Sequence, residues 1–255
     1  AAAAQVGPGR RLAGTALRLD KLLARRAGLS RSQAKDAIKA GRLLVDGKIV
    51  TRVDEQVEEH SALILDGQPL RAAGGLHLML NKPAGLLTAA RDAKAATIFD
   101  LLPELARTLK CMPVGRLDKE TEGLLLLTTD GELAHRLLAP RRGIGKLYLA
   151  RVEGRLREAD IQAFKEGIRL SDFTALPAGL HILEADEQVS LAQVELTEGK
   201  HRQVRRMFGS LGHPVLTLKR LRFGPLTLDD NLAPGAWREL TAEELQALKE
   251  AVGLV

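Results

Sequence analysis

The 255-residue sequence contains one cysteine, one tyrosine and one tryptophan, and aromatic residues make up only 3% of it. A single thiol, that of Cys111, excludes an intramolecular disulfide and the usual multi-thiolate zinc site, and it indicates a reducing compartment. No apolar run approaches the roughly 20 residues that span a bilayer, and the alanine-rich start lacks the apolar core of an export signal. We therefore expect a cytoplasmic protein that does not contact a membrane.

The composition is otherwise that of an ordinary globular protein. Hydrophobic residues account for 45% and charged residues for 27% of the chain, which excludes a wholly disordered or fibrous protein. The length allows one large domain or a small domain joined to a medium one.

Positive charge is concentrated near the start of the chain. The net charge is +6, but residues 1–52 hold 12 basic and 3 acidic side chains, a local excess of +9. A compact basic module beside a nearly neutral larger one is typical of a polyanion-binding appendage, so we expect nucleic acid as the partner. The alternative is a merely soluble basic surface.

Glycine and proline positions divide the chain into parts. Residues 1–15 lack apolar periodicity and are expected to form a flexible tail. Residues 16–73 show two helical patterns, the first ending at Gly28 and the second beginning with the capping-box spacing of Ser30 and Gln33, and then short strands around Asp-Gly turns at 46–47 and 66–67. Gly-Gly at 74–75 predicts a linker. Residues 76–255 alternate strand-like segments with helical ones near 132–138, 158–166 and 202–211, which indicates an α+β second domain.

The first module resembles a known RNA-binding domain. The run LRLDKLLARRAGLSRSQAKDAIKAGRLLVDGKIV is similar to the S4-type domain, with an RLDK start, a helix ending at Gly41 and a V-D-G hairpin in the expected order. The resemblance implies that its helices present basic side chains to folded RNA, where phosphate contacts position the partner without specifying a base. The residues expected to do so are Arg18, Arg25, Arg26, Arg31, Lys35 and Lys39. The alternative is a solvated helix face.

A second segment carries the chemistry. In PVGRLDKETEGLLLLTTDGELAHRLL, residues 113–138, a carboxylate at Asp118 lies in a loop before a fully apolar strand. Spacing alone leaves Arg116 and Asp118 as an ordinary surface pair. The pattern GRLDxxTxGLLLLTTDG, however, resembles the motif of the RNA pseudouridine synthases, in the RsuA-type branch that also has an S4-type domain. LNKPAG, GKLYLARV, EGKHRQVRRMF and LKRLRFGPLTL follow the family order.

The resemblance implies an isomerisation. The bond between ribose and a uracil nitrogen breaks, the ring turns, and a ring carbon is joined to the sugar, so no metal, nucleotide or other cofactor is required. This fits the lack of a Walker motif, a GxGxxG fingerprint and clustered metal ligands. By resemblance, Asp118 is the catalytic carboxylate. Whether it attacks the ribose carbon or removes a ribose proton is left open.

The remaining site residues are assigned by the same resemblance. Arg205, at the edge of an apolar helix stripe, is expected to pair with Asp118, because a nearby cation lowers a carboxyl pKa that burial raises. Tyr148 is expected to stack on the flipped uracil, although a core tyrosine is the plainer alternative. Arg116 would help the target base leave the helix or hold its phosphate, and Thr121 would shape the loop by hydrogen bonding. Arg202 stands where the family often has histidine, and Lys82 could approach RNA or simply be solvated.

We therefore expect an α+β protein in which a small helix-plus-strand domain precedes a mixed, largely antiparallel bent sheet with flanking helices and a central cleft. The expected function is the conversion of one ribosomal RNA uridine, in 16S RNA, to pseudouridine, on free RNA or on a ribosomal assembly intermediate. The alternatives are a 23S-directed member of the family, a non-catalytic ribosome assembly factor and a DNA-binding regulator. A monomer is expected.

Overall fold

The computed structural model describes residues 16–58, 61–70 and 75–254. The expected flexible tail, residues 1–15, and the first glycine of the expected linker lie outside these ranges. In the described part of the chain, no helix is both long enough and apolar enough to cross a bilayer.

Two short helices open the first module. Helix α1 (Leu19–Ala27) ends at Gly28, which adopts the left-handed conformation that glycine tolerates. Helix α2 (Arg31–Lys39) begins with the predicted capping box, in which Ser30 and Gln33 exchange side-chain and backbone hydrogen bonds. Both predictions from local sequence are confirmed.

Short strands complete this module. A four-stranded sheet has the order β3-β2-β5-β6, and β1 pairs with β4. The strands are β1 (Ala16–Arg18), β2 (Leu43–Val45), β3 (Lys48–Ile49), β4 (Gln56–Glu58), β5 (Leu63–Leu65) and β6 (Gln68–Pro69). The two predicted Asp-Gly turns close hairpins, with positive φ at both residues of Asp46-Gly47 and of Asp66-Gly67. Its core contains Leu19, Leu22, Leu23, Ile38, Leu43 and Leu63.

The second module is built on one mixed sheet. Its strands are β7 (His77–Lys82), β8 (Met112–Pro113), β9 (Thr121–Thr128), β10 (Lys146–Glu153), β11 (Gly179–Ala185), β12 (Val189–Leu196), β13 (Val215–Phe223), β14 (Leu226–Thr227) and β15 (Trp237–Glu239). The order is β11-β12-β10-β13-β9-β7-β15, with β14 on β13 and β8 on β9. Strands β13 and β9 run parallel and the other pairs are antiparallel, as expected for a mixed, largely antiparallel sheet.

The parallel pairing joins the two parts of the sheet over only three residues. Thr121–Gly123 pair with Leu218–Arg220, and β9 then continues beside β7 and β8 alone. Gly123 is required here, because a Cβ at this position would lie 2.3 Å from the backbone oxygen of Arg220. Beyond Gly123, the Nε of Arg220 donates to the oxygen of Leu124 at 2.8 Å, so a side chain fills the gap between the two strands.

Helices cover both faces of the part of the sheet that contains β7 and β9. Alternating residues of these strands point to opposite faces. Leu78, Leu80, Leu125 and Leu127 belong to a core shared with α3 (Glu104–Thr108), α5 (Glu158–Glu166) and α6 (Gln203–Ser210). Met79, Leu124 and Leu126 belong to a second core with α4 (Gly131–Leu138) and α7 (Ala242–Ala251). The uninterrupted apolar run of β9 is explained by burial on both sides.

Sequence patterns located most of these elements. The helical segments expected near 132–138, 158–166 and 202–211 correspond to α4, α5 and α6. Helix α3 was not predicted, because five residues are too few to show a helical period. Cys111 and Trp237, expected to be packing residues, are each 4% exposed.

Candidate active site and RNA-binding interface

Asp118 lies in a loop that we name the Asp118 loop, residues 116–121, directly before β9. The backbone N–H of Thr121 donates to the oxygen of Asp118 at 3.0 Å, which closes the loop into a turn. In the segment that follows β7, the N–H of Gly85 donates to the oxygen of Lys119 at 2.8 Å. The hydroxyl of Thr88 donates to the oxygen of Leu117 at 2.7 Å and accepts from its N–H at 3.3 Å. The loop is therefore held along its length by neighbouring chain.

Lys82 makes the largest contribution to this anchoring. Its side chain is fully buried, and its Nζ lies 3.0 Å from the oxygen of Pro83, 3.2 Å from that of Asp118, 3.1 Å from that of Lys119 and 2.8 Å from that of Thr121. Burial lowers the pKa of Lys82 from 10.5 to about 8, against the opposing effect of nearby carboxylates. The alternative of a solvated lysine is wrong, because Lys82 is fully buried and its ammonium group binds backbone oxygens of the loop. An approach to RNA stays a prediction.

Thr121 also differs from expectation. The residue is 2% exposed, and its hydroxyl oxygen is buried without a hydrogen-bond partner. The prediction that its side chain shapes the loop by hydrogen bonding is therefore wrong. The backbone of Thr121 does this instead, as donor to Asp118 and as acceptor from Lys82.

Arg205 reaches the Asp118 loop from α6. Its Nη1 donates to the oxygen of Val215 at 3.2 Å and its Nη2 donates to the oxygen of Glu120 at 3.4 Å. Burial and then the neighbouring Arg202 lower the pKa of Arg205, while Glu120 and Asp118 oppose the shift. The guanidinium group therefore lies within electrostatic range of Asp118, although both of its hydrogen bonds end on backbone oxygens rather than on the carboxylate.

Arg202 forms a second link between α6 and the loop. It caps the helix N-terminus in the left-handed conformation, with φ of 50°, which is uncommon for a residue with a side chain. Its Nη1 lies 3.8 Å from a carboxylate oxygen of Glu120. Both side chains are about half exposed, so this ion pair is weak in water.

Tyr148 and Arg116 complete the set of predicted residues. Tyr148 is 9% exposed and lies on the face of β10 that also buries Ala150 and Val152. Leu117, next to Asp118, belongs to the same buried cluster. Arg116 is exposed, and Asp118 is partly buried. The structure thus brings Asp118, Arg205 and Arg202 together through one loop, and it places Tyr148 in the core that adjoins this loop.

The basic residues of the first module fall into two groups. Asp20 is fully buried, and Arg18 and Arg31 bind its carboxylate at 3.3 Å and 3.0 Å. Burial alone would raise the pKa of Asp20, but the hydrogen bonds from these arginines outweigh it and hold the pKa below its ordinary value. Arg26 donates to the oxygen of Ser61 at 2.7 Å.

The second group is open to solvent. Arg25 and Lys39 are exposed and Lys35 is partly exposed on the two helices. These three side chains reach solvent, whereas Arg18 and Arg31 bind the buried Asp20, and Arg31 thereby links α2 to α1.

Sequence reasoning missed Thr88 and Gly85 as anchors of the Asp118 loop. The LNKPAG run was noted as a family landmark, but nothing in it indicated that its lysine and glycine bind a loop more than thirty residues away. In the described residues, no group of three or more His, Cys, Asp or Glu side chains is placed to hold a metal ion.

Comparisons with known proteins agree with this architecture. A family model described as RNA pseudouridylate synthase matches residues 77–210, and a model described as S4 domain matches residues 17–63. A solved structure described as a pseudouridylate synthase superposes with a TM-score of 0.63 at 34% identity, covering 91% of this chain and 99% of that one. The fold is therefore an S4 domain followed by a pseudouridine synthase fold.

Curated relatives extend along almost the whole chain. An uncharacterized RNA pseudouridine synthase of Bacillus subtilis, YtzG, is 40% identical over 92% of this chain and 99% of its own length. The ribosomal small subunit pseudouridine synthase A of Yersinia pestis is 36% identical, with coverage of 91% and 98%. The ribosomal large subunit pseudouridine synthase B of Bacillus subtilis is 37% identical, with coverage of 91% and 95%. The chain belongs to the RsuA-type RNA pseudouridine synthases with an N-terminal S4 domain.

Proposed function

We propose that this enzyme converts one uridine of 16S ribosomal RNA to pseudouridine, with Asp118 as the catalytic carboxylate. The observation that carries the proposal is the anchoring of the Asp118 loop, in which Lys82, Gly85 and Thr88 hold the backbone on both sides of the aspartate. Such a fixed loop next to a buried strand suits a carboxylate that must meet one ribose in one geometry.

The neighbouring side chains have distinct tasks in this proposal. Tyr148 offers an aromatic face to the everted uracil, which regains stacking of about 1–3 kcal/mol lost on leaving the RNA helix. Arg205 sets the position and electrostatic surroundings of the Asp118 loop from α6, since it binds the oxygen of Glu120. The exposed Arg116 contacts the phosphate or the vacated position of the target nucleotide.

The first module captures the RNA. Arg25, Lys35 and Lys39 supply phosphate contacts that are independent of sequence and sensitive to salt. Arg18 and Arg31 are committed to Asp20, so they act by holding the helix pair in shape. We take residues 16–73 and 76–255 as separate RNA-capturing and catalytic units, because the core of the first unit contains only residues of that unit.

The choice of 16S RNA rests on particular segments. We infer this target from the resemblance of ALPAGL (residues 175–180), the MFGSLG helix and LKRLRFGPLTL to the small-subunit type. The relatives named for the small and the large subunit are almost equally identical to this chain, so overall identity favours neither target. A 23S-directed enzyme is therefore the second candidate.

The test is tritium release from RNA labelled at C5 of uridine, because C5 loses its hydrogen to solvent when it becomes bonded to C1′. Deproteinised 16S RNA, 23S RNA and assembly intermediates are incubated separately with the wild-type protein and with Asp118→Asn. We expect release from 16S RNA by the wild type and none by the variant, with equal RNA affinity. Release from 23S RNA alone would identify 23S RNA, rather than 16S RNA, as the substrate.

The same experiment distinguishes an enzyme from a binding factor. Lack of release from all three substrates, with binding unchanged in Asp118→Asn, would identify a non-catalytic assembly factor. Preference for duplex DNA over structured RNA in competition at fixed salt would instead identify a DNA-binding regulator.

A further inference from the structure

Arg220 is a buried cation that has no role in the reaction proposed above. It lies on β13 directly opposite Tyr148 of β10 and is 2% exposed. Its Nε donates to the oxygen of Leu124, but its Nη2 is buried and has no hydrogen-bond partner. A buried donor without a partner is costly, so its retention needs an explanation.

Lys146 lies beside it. Lys146 is two residues before Tyr148 on β10, and strand alternation places both side chains on the same face. Its Nζ donates to the oxygens of Ile144 at 2.8 Å and Thr197 at 3.3 Å. Burial, and in addition the charge of Arg220, lower the pKa of Lys146 to about 8. Lys146 is therefore partly buried and held by backbone oxygens rather than freely solvated.

The two cations share an aromatic neighbour but no counterion. The Nζ of Lys146 and the Cζ of Arg220 lie 5.6 Å and 5.1 Å from the ring centroid of Phe223. Within the described residues, neither is joined to a carboxylate by an ion pair, whereas the partly buried Arg238 binds both Asp229 and Glu244. Two desolvated positive charges next to each other are unfavourable unless negative charge reaches them.

We propose that Lys146 and Arg220, which we name the cation pair, stabilise the negative charge that develops on the target uracil during the isomerisation. The proposal rests on the proposed function, in which Tyr148 receives the everted base. When the bond between C1′ and N1 breaks, its electron pair stays on the ring, and uracil becomes an anion. C1′ then bonds to C5, the proton leaves C5, and N1 takes up a proton, so no other reactant is consumed.

The cation pair is suited to this task by its position and its surroundings. A charge fixed in a water-poor site acts on developing negative charge far more strongly than it would in water, and it needs no reorientation during the reaction. The ammonium group of Lys146 has three hydrogens and uses two on backbone oxygens, which leaves one for a carbonyl oxygen of the base. Arg220 acts from behind it through its charge.

Lys146→Met tests the proposal, because methionine keeps the apolar stem and removes the charge. Single-turnover consumption of the target uridine, RNA affinity and the thermal midpoint are measured for the wild type and the variant. We expect the single-turnover rate to fall on the order of 100–1,000-fold, the loss that removal of one oxyanion donor causes, with RNA affinity within about twofold. Arg151→Met, on the same strand but exposed and on the opposite face, is the matched control.

A second substrate separates stabilisation of the anion from a structural role. Fluorine at C5 makes the uracil anion more stable, so cleavage of the bond between C1′ and N1 in RNA carrying 5-fluorouridine should depend less on Lys146. C5 has no proton to lose in this substrate, and cleavage of that bond is therefore the quantity compared. We expect Lys146→Met to lose less with 5-fluorouridine than with uridine, and Arg220→Lys to retain more activity than Arg220→Met. The proposed role of the cation pair would be refuted by equal losses with both substrates, by an unchanged rate, or by a loss confined to RNA affinity. A wild type that consumes neither substrate would instead overturn the proposed function.

Discussion

Replacing Lys82 by methionine should lower the catalytic rate while the protein remains folded. The ammonium group shares three hydrogens among four backbone oxygens, three of which belong to the Asp118 loop. Hydrogen bonds to a charged group contribute about 1.5–3 kcal/mol each. Against this, burial lowers the pKa of Lys82 from 10.5 to about 8, a cost of about 3 kcal/mol at 1.36 kcal/mol per pKa unit.

The net loss of unfolding free energy in Lys82→Met is therefore about 1–6 kcal/mol, since removal of a buried charge offsets part of the lost bonding. The loss in catalysis is a separate effect. A loop that is displaced by about 1 Å costs on the order of 100-fold in rate, because Asp118 no longer meets the ribose in the productive geometry. The variant should remain folded at 25 °C while its single-turnover rate falls by this factor.

The assay is tritium release under single-turnover conditions, beside urea denaturation of the same preparations. Lys165→Met is the control, because Lys165 is an exposed lysine on α5. A Lys82→Met protein that keeps the wild-type rate within twofold would refute the anchoring argument. So would a loss of rate that is fully accounted for by the fraction of unfolded protein.

Three further predictions concern pH and packing, and a fourth concerns the domain division. Between about pH 8 and 10.5, Lys82 is protonated in the unfolded chain but not in the folded protein, so the unfolding free energy should rise with pH. Urea titrations at each pH should show a steeper rise for the wild type than for Lys82→Met. Gly123→Ala should lower the unfolding free energy by about 3 kcal/mol or more, because its Cβ would meet the backbone of Arg220, and wild-type stability would contradict this. Asp20→Asn should lower the unfolding free energy by about 2–3 kcal/mol. The ionised carboxylate stabilises the fold only at pH values above its lowered pKa, so the variant should lose less stability than the wild type when the pH falls. An acid transition that is the same in both proteins would argue against this. Deletion of residues 1–73 should weaken RNA capture but leave part of the activity on a small substrate, and failure of the remainder to fold would refute the two-unit division.

Elements with local signals were predictable from the sequence. The capping box at Ser30 and the Asp-Gly turns involve residues at most three apart, so their outcome depends little on the rest of the fold. The apolar run of β9 was recognisable because a strand that is buried on both faces needs no alternation. The motif around Asp118 identified the loop because its glycines and charges occur in a fixed order.

The environment of individual lysines was not predictable. Lys82 and Lys146 look like ordinary surface residues in the sequence, but Lys82 is fully buried and Lys146 partly buried, and each binds a backbone oxygen of a distant segment. Arg205 was placed correctly at the edge of its helix, but its hydrogen-bond partners are oxygens of Val215 and Glu120, which no pattern of side chains reveals. Such contacts arise from tertiary structure alone.

The parallel junction of β9 and β13 has a consequence for synthesis on the ribosome. Leu124 and Arg220 are 96 residues apart in the chain, so the unit of residues 76–255 stays incomplete until most of it has been translated. The N-terminal unit draws its core from its own residues, and domains tend to fold in order as they emerge. A nascent chain would therefore hold a formed RNA-capturing unit well before it holds a working catalytic centre.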